Sequence, residues 1–155
     1  MSFLSSMNIS ASALTAERLR LDIISENVSN VDTTRTENGG PYRRKLVVFE
    51  AKGGGSFQDS LNNAIQQRNA SGKSLGKDGT PGVRVSAIVE DNSALKSVYN
   101  PDHPDADANG YVQMPNVDML QETIDSMSAT RSYQANITVL NAVKLMAQKA
   151  LDIGR

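Results

Sequence analysis

From Val117 to Ile153 the chain contains neither proline nor glycine. Those are the strongest breakers of helix, so the stretch reads as one helix of roughly 54 Å at 1.5 Å per residue. A mean globular helix has about 11–12 residues. A helix this long, in a chain of 155 residues, needs partners along its flank. Pro115 disfavours helix before it, and Asn116 is expected to serve as the N-cap. Asp118 and Glu122 in the first turns, with Lys149 and Arg155 near the end, match the helix dipole. Tyr133, Ile137, Leu140, Ala147 and Leu151 form one apolar stripe, and Leu120, Ile124 and Met127 an earlier one. Such drift suits a helix that meets different neighbours along its length.

The amino end repeats the theme. Between Leu4 and Ser29, Met7, Leu14, Leu21 and Val28 lie seven apart, and Phe3, Ile24 and Val31 add a row three residues on. Ser10 and Glu17 interrupt that second row, which leaves an a/d-like seam with polar gaps. Leu19 and Ile23 widen the apolar surface beyond one seam. Asn27, Asn30, Asp32 and Thr33 favour caps and turns and predict the end of the helix.

The middle has a different character. Pro41–Glu50 and Val83–Glu90 read as strands, with shorter ones around Leu95–Tyr99 and Tyr111–Met114. Between Gly53 and Gly82 glycine, serine and asparagine dominate, which predicts a flexible loop with a short amphipathic segment at Phe57–Gln67.

Composition narrows the function classes. Aromatics are 5% and Trp is absent, a thin supply of large apolar surface for a self-sufficient core. A net charge of −1 gives no basic footprint for nucleic acid. With 0 cysteines there is no thiol nucleophile, disulfide or zinc–thiolate site. The first basic residue is Arg18, and Ser5, Ser6 and Asn8 interrupt any early apolar core, so no cleavable signal peptide is expected. No apolar run approaches the roughly 20 residues of a transmembrane segment.

Four groups imitate chemical sites. Gly72, Lys73 and Ser74 end like a phosphate-binding loop, but Gln67 stands where its first glycine belongs. Asp105, Asp107, Asn109, Gly110 and Val112 follow the spacing of a calcium-binding loop, yet Asn116 replaces the closing bidentate Glu. That segment is expected to be a turn bonded to its own backbone. His103, the one histidine, has no nucleophile beside it in sequence. The Arg43–Arg44–Lys45 cluster fits either contact with an acidic partner or a charged strand edge. No catalytic, cofactor or metal site is expected.

Three blocks carry a family resemblance. SALTAERLRLDIISENVSNVDTT (12–34) has an amphipathic helix running into Asn27-x-x-Asn30-x-x-Thr33, with Ser29 where alanine is usual. PYRRKLVVFEA (41–51) is the second block. The third joins NPDHPDADANGYVQMPNVDM (100–119) to SATRSYQANITVLNAVKLMAQKALDIG (128–154). Together they resemble the axial proteins of the bacterial flagellum, most closely the proximal-rod proteins of its basal body.

The resemblance implies an α+β fold in which the N- and C-terminal helices pair as an antiparallel coiled coil. Residues 1–34 and 115–155 would form the helical assembly domain, and 35–114 a small β-rich middle domain with its flexible loop at about 53–82. It implies a structural subunit, not an enzyme, that assembles helically into a hollow shaft transmitting torque for motility. Implied partners are copies of itself, other rod proteins, the rod-to-ring adaptor, the membrane ring and the flagellar type III export apparatus. The implied place is the rod within the periplasm. The assembly interface is expected at Leu14, Leu21, Ile24, Asn27, Val28, Asn30, Tyr133, Ile137, Leu140 and Leu151. The alternatives are another axial protein, a neighbouring rod subunit or hook component, or a small calcium-binding module at the Asp105–Asn109 turn.

Overall fold

A computed structural model describes residues 3–37, 39–52 and 82–153. The segment Phe57–Gln67, the Gly72–Ser74 triplet and nearly all of the glycine-rich stretch lie outside those residues. The fold is α+β, with a long helix at each end and two small antiparallel sheets between them.

Helix α1 spans Phe3–Ser29. It ends where the asparagines begin. The Asn30 amide donates to Glu26 O at 3.1 Å, and the Asn30 side chain donates to the same oxygen at 2.9 Å. Thr33 Oγ1 donates to Asn30 Oδ1 at 3.1 Å, closing the turn. The Tyr42 amide then donates to Thr33 O at 3.0 Å and brings the chain back beside the helix end.

Strands β1 (Lys45–Lys52) and β2 (Gly82–Glu90) pair antiparallel, from Lys45 opposite Glu90 to Lys52 opposite Gly82, with a bulge between Val48 and Phe49. Strands β3 (Lys96–Tyr99) and β4 (Tyr111–Met114) form a second antiparallel pair. Among the described residues the middle therefore forms two two-stranded ribbons, and α1 touches both strands of the first. Ser12 makes one of those ties: its Oγ accepts from the Val83 amide at 3.0 Å. A Cβ at Gly82 would lie 2.6 Å from that oxygen, which explains glycine at the start of β2.

Helix α2 spans Met119–Ile153 and contacts α1. Its N-cap is Asp118, whose Oδ1 accepts from the Leu120 amide at 2.9 Å, and not Asn116 as the sequence suggested. Asn116 is engaged elsewhere, as described below.

The core is thin, as the low aromatic content predicts. Its buried apolar residues are Ala16, Ile23, Ile24, Tyr42, Val112, Val117 and Ala129. Leu46, Val48, Phe49, Ile88 and Val89 of the first ribbon remain exposed. Two-stranded ribbons are marginal on their own, and here helix α1 supports the first.

Candidate functional site

Where the two helices approach the first ribbon, charged and polar side chains are packed out of water. Glu122 of α2 is 0% exposed and Asn27 of α1 is 1% exposed. Asn27 Nδ2 donates to Glu122 Oε2 at 3.2 Å and to Lys45 O at 3.0 Å. Asn27 Oδ1 accepts from the Lys45 amide and from the Tyr42 hydroxyl, both at 2.9 Å. Arg44 Nε donates to Glu122 Oε1 at 2.5 Å, and Arg44 Nη2 to Asp125 Oδ2 at 2.9 Å. Arg20 of α1 reaches the other Asp125 oxygen at 3.5 Å. Lys45 Nζ pairs with Glu26 at 2.5 Å. Arg44 and Lys45 of the basic cluster thus find acidic partners within their own chain, while Arg43 donates to the Asp91 and Ser93 carbonyls at 3.3 and 3.5 Å.

Burial, with Glu26, Glu122 and Glu90 nearby, pushes the Tyr42 phenol up from 10.0 to about 12. Both effects disfavour the phenolate, so Tyr42 stays a hydrogen-bond donor. Every polar atom of the Asn27 side chain is thereby committed to holding segments of this chain together.

Asn116 makes a second junction. Its Oδ1 accepts from the Arg44 amide at 2.8 Å, while its Nδ2 donates to Asp91 O at 3.0 Å and Ser93 Oγ at 2.8 Å. The Ser93 amide donates to Asp91 Oδ1 at 2.9 Å and, with the Ser93 hydroxyl, holds that carboxyl below its usual range. Asn116 therefore joins the start of β1, the turn after β2 and the approach to α2. It was unavailable for capping because three segments compete for it.

The residues expected at an assembly interface fall into two groups. Ile24 and Asn27 are buried inside the chain, and Asn30 is half-buried at the end of α1. Leu14, Leu21, Val28, Tyr133 and Leu140 are half-buried, and Ile137 and Leu151 are exposed. The exposed set extends further on α2, with Leu120 at 71%, Leu151 at 74% and Met146 at 67%. These are too many uncovered large apolar side chains for a surface that meets only water.

His103 and the Asp105–Val112 segment take part in local bonding. Thr34 Oγ1 donates to Asp105 Oδ2 at 2.8 Å, the Asp107 amide donates to Tyr111 O at 2.8 Å, and the Asp105 amide donates to His103 Nδ1 at 3.1 Å. Among the described residues, no group of three or more His, Cys, Asp or Glu side chains is placed to hold a metal ion. No described helix is long and apolar enough to cross a membrane.

Sequence reasoning missed Glu122 and Asp125 as partners of Arg44. Two carboxylates three residues apart in the first turns of a long helix, Glu122 and Asp125, were the available signal.

Comparison with known proteins now bears on this surface. Residues 7–35 match the family described as Flagella basal body rod protein, and residues 108–153 match Flagellar basal body rod FlgEFG protein C-terminal. The flagellar basal-body rod protein FlgC of Bacillus subtilis is 50% identical, over 97% of this chain and 97% of that protein. The proteins of the same name from Borreliella burgdorferi, at 42% identity over 99% of this chain and 98% of that one, and Salmonella typhimurium, at 41% over 100% of both, agree. With the helical ends, the ribboned middle and these full-length relatives in accord, the chain belongs to the family of the flagellar basal-body rod protein FlgC.

Proposed function

We propose that this chain, a structural subunit of the flagellar basal-body rod, builds the proximal part of that rod by helical self-assembly and carries no catalysis. The observation that carries this reading is the number of large apolar side chains left uncovered along α2, from Leu120 to Leu151. Apolar surface of that extent is stabilised when another subunit covers it. Contacts between unlike patches that fail to close into a ring generate a tube. In this reading the tube is a hollow shaft transmitting torque within the periplasm.

Residues 1–34 and 115–155 act as the assembly domain and pair as an antiparallel coiled coil, while 35–114 and the loop at about 53–82 face outward. Two contacts support the pairing: Asn27 bonds Glu122 and Arg20 meets Asp125, so partners on α2 advance as those on α1 recede. Leu14, Leu21, Val28, Tyr133, Ile137, Leu140 and Leu151 meet neighbouring subunits, while Ile24, Asn27 and Asn30 hold the helical end in shape. The neighbours are further copies, other rod proteins, the rod-to-ring adaptor and the membrane ring. The type III apparatus exports the chain.

A density map of isolated basal bodies tests the reading. Neighbouring subunits should cover Ile124, Ile137 and Leu151. A rod in which all three of these side chains face open solvent would overturn it.

A further inference from the structure

We propose that the buried cluster of Glu122, Asn27 and Arg44 is a register lock, which fixes how far along α1 the helix α2 docks. The proposal rests on the helix pairing argued above and adds what selects one alignment of that pair.

The covered faces of the two helices repeat with a period of seven. On α2, Glu122, Ala129, Asn136 and Val143 are all shielded, as are Tyr133 and Leu140. On α1 the shielded positions include Ser6, Ala13, Arg20 and Asn27. Ser6, Ala13, Ala129, Asn136 and Val143 among them are small, so sliding one helix by seven residues brings small against small again at several levels. Packing alone therefore discriminates weakly between neighbouring registers. Polar groups at seam positions discriminate strongly, because only one alignment satisfies them.

Here the polar groups are tied at two points. Glu122 meets Asn27 at 3.2 Å, and one turn further Asp125 meets Arg20 at 3.5 Å. Arg44, just before β1, bonds both carboxylates at once. A seven-residue slip would strip Asn27 of Glu122, and Arg44 would lose Glu122 and Asp125. Glu122, with no exposure in the native alignment, would face either a dry seam without a cation or a different surface altogether. Glu122 is thus a positioning residue. The apolar rows that α1 and α2 offer to neighbours line up in one way only while it holds.

The chain has 0 cysteines, so an engineered pair reports alignment without background. Fourteen residues back from Asn27 lies Ala13, and fourteen forward from Glu122 lies Asn136, so these two face one another in the proposed register. Ala13→Cys is combined in turn with Ala129→Cys, Asn136→Cys and Val143→Cys in the purified full chain. Intramolecular disulfide yield is read at high dilution. The parent background should favour position 136 over 129 and 143 by at least about tenfold, a preference each 1.4 kcal/mol supplies. Glu122→Leu with Arg44→Met replaces the pair by apolar side chains and should bring a second position to within about twofold of 136.

A parent background with no preferred position would overturn the helix pairing itself. A clear preference for 136 that survives in the double variant would overturn the lock while leaving the pairing intact. If circular dichroism shows that the double variant has lost its helices, Glu122→Gln decides. Arg44 and Asn27 meet different oxygens of Glu122, and the amide replaces one of those oxygens by a donor, so spreading to 129 or 143 supports the lock and an unchanged peak at 136 overturns it.

Discussion

The Tyr42 hydroxyl donates a 2.9 Å hydrogen bond to Asn27 Oδ1, joining the return of the chain to the last turns of α1. Its phenol is raised from 10.0 to about 12, so the folded state holds that proton more tightly than the unfolded chain does. The stability linked to it is complete below pH 10 and is lost as pH rises through about 12. Tyr42→Phe should flatten this alkaline decline in urea unfolding. At neutral pH it should cost about 1 kcal/mol, because Asn27 Oδ1 keeps the Lys45 amide as a donor. An alkaline decline equal in parent and variant would place its cause elsewhere.

Asn116 and Asp118 offer a ranking test. Removing a helix cap costs about 1 kcal/mol, the loss expected for Asp118→Ala. Asn116→Ala strands the Arg44 amide and frees the turn at Asp91 and Ser93, so its cost should be larger, about 2–3 kcal/mol. Urea midpoints at constant slope give the order directly. The reverse order would mean that Asn116 is the cap after all.

This pair also shows what a sequence can and cannot yield. Among the described residues, the existence of the two helices and four strands was legible, because periodicity and the Pro115 break are local signals. Tyr111–Met114 was read with its observed bounds, and α1 differs by one residue from Leu4–Ser29. The turn chemistry of Asn30 and Thr33 was legible for the same reason. Which asparagine caps a helix and which joins three segments depends on partners far along the chain. Arg44 finds Glu122 at a separation of 78 residues, and Asn27 finds it at 95. No local pattern encodes such meetings, so the basic cluster at 43–45 looked outward in sequence and turns inward in the fold. The surface row of α2 was legible as composition, but its degree of exposure needed coordinates.

Gly110 and Gly39 separate two costs. Both adopt positive φ, +78° and +82°. Alanine at Gly39 would meet nothing within 4 Å, so only the left-handed backbone penalty of about 1–2 kcal/mol applies. Alanine at Gly110 would also press to 2.9 Å from Tyr99 Cε2 and 3.3 Å from Pro101 Cβ, disturbing the Tyr99–Tyr111 edge contact. Thermal unfolding should therefore show the larger drop for Gly110→Ala. Equal drops would mean that the tyrosine moves aside at no cost.

The last prediction concerns Ile137, on the outer side of α2 between the half-buried Tyr133 and Leu140. In the free chain Ile137 is 38% exposed, so an aspartate there costs the monomer little and the fold should survive. Once a neighbouring subunit covers the same position, an unpaired carboxylate must lose its water, at a cost of several kcal/mol. Ile137→Asp should leave protein level and export near those of the parent while halting rod growth, and cells should be non-motile with basal bodies lacking a completed rod. His103→Ala serves as the contrast, since the His103 ring accepts from the Asp105 amide within its own loop. Swimming should persist in that variant. If Ile137→Asp cells swim and His103→Ala cells do not, the working surface lies in the β3–β4 loop and not along α2.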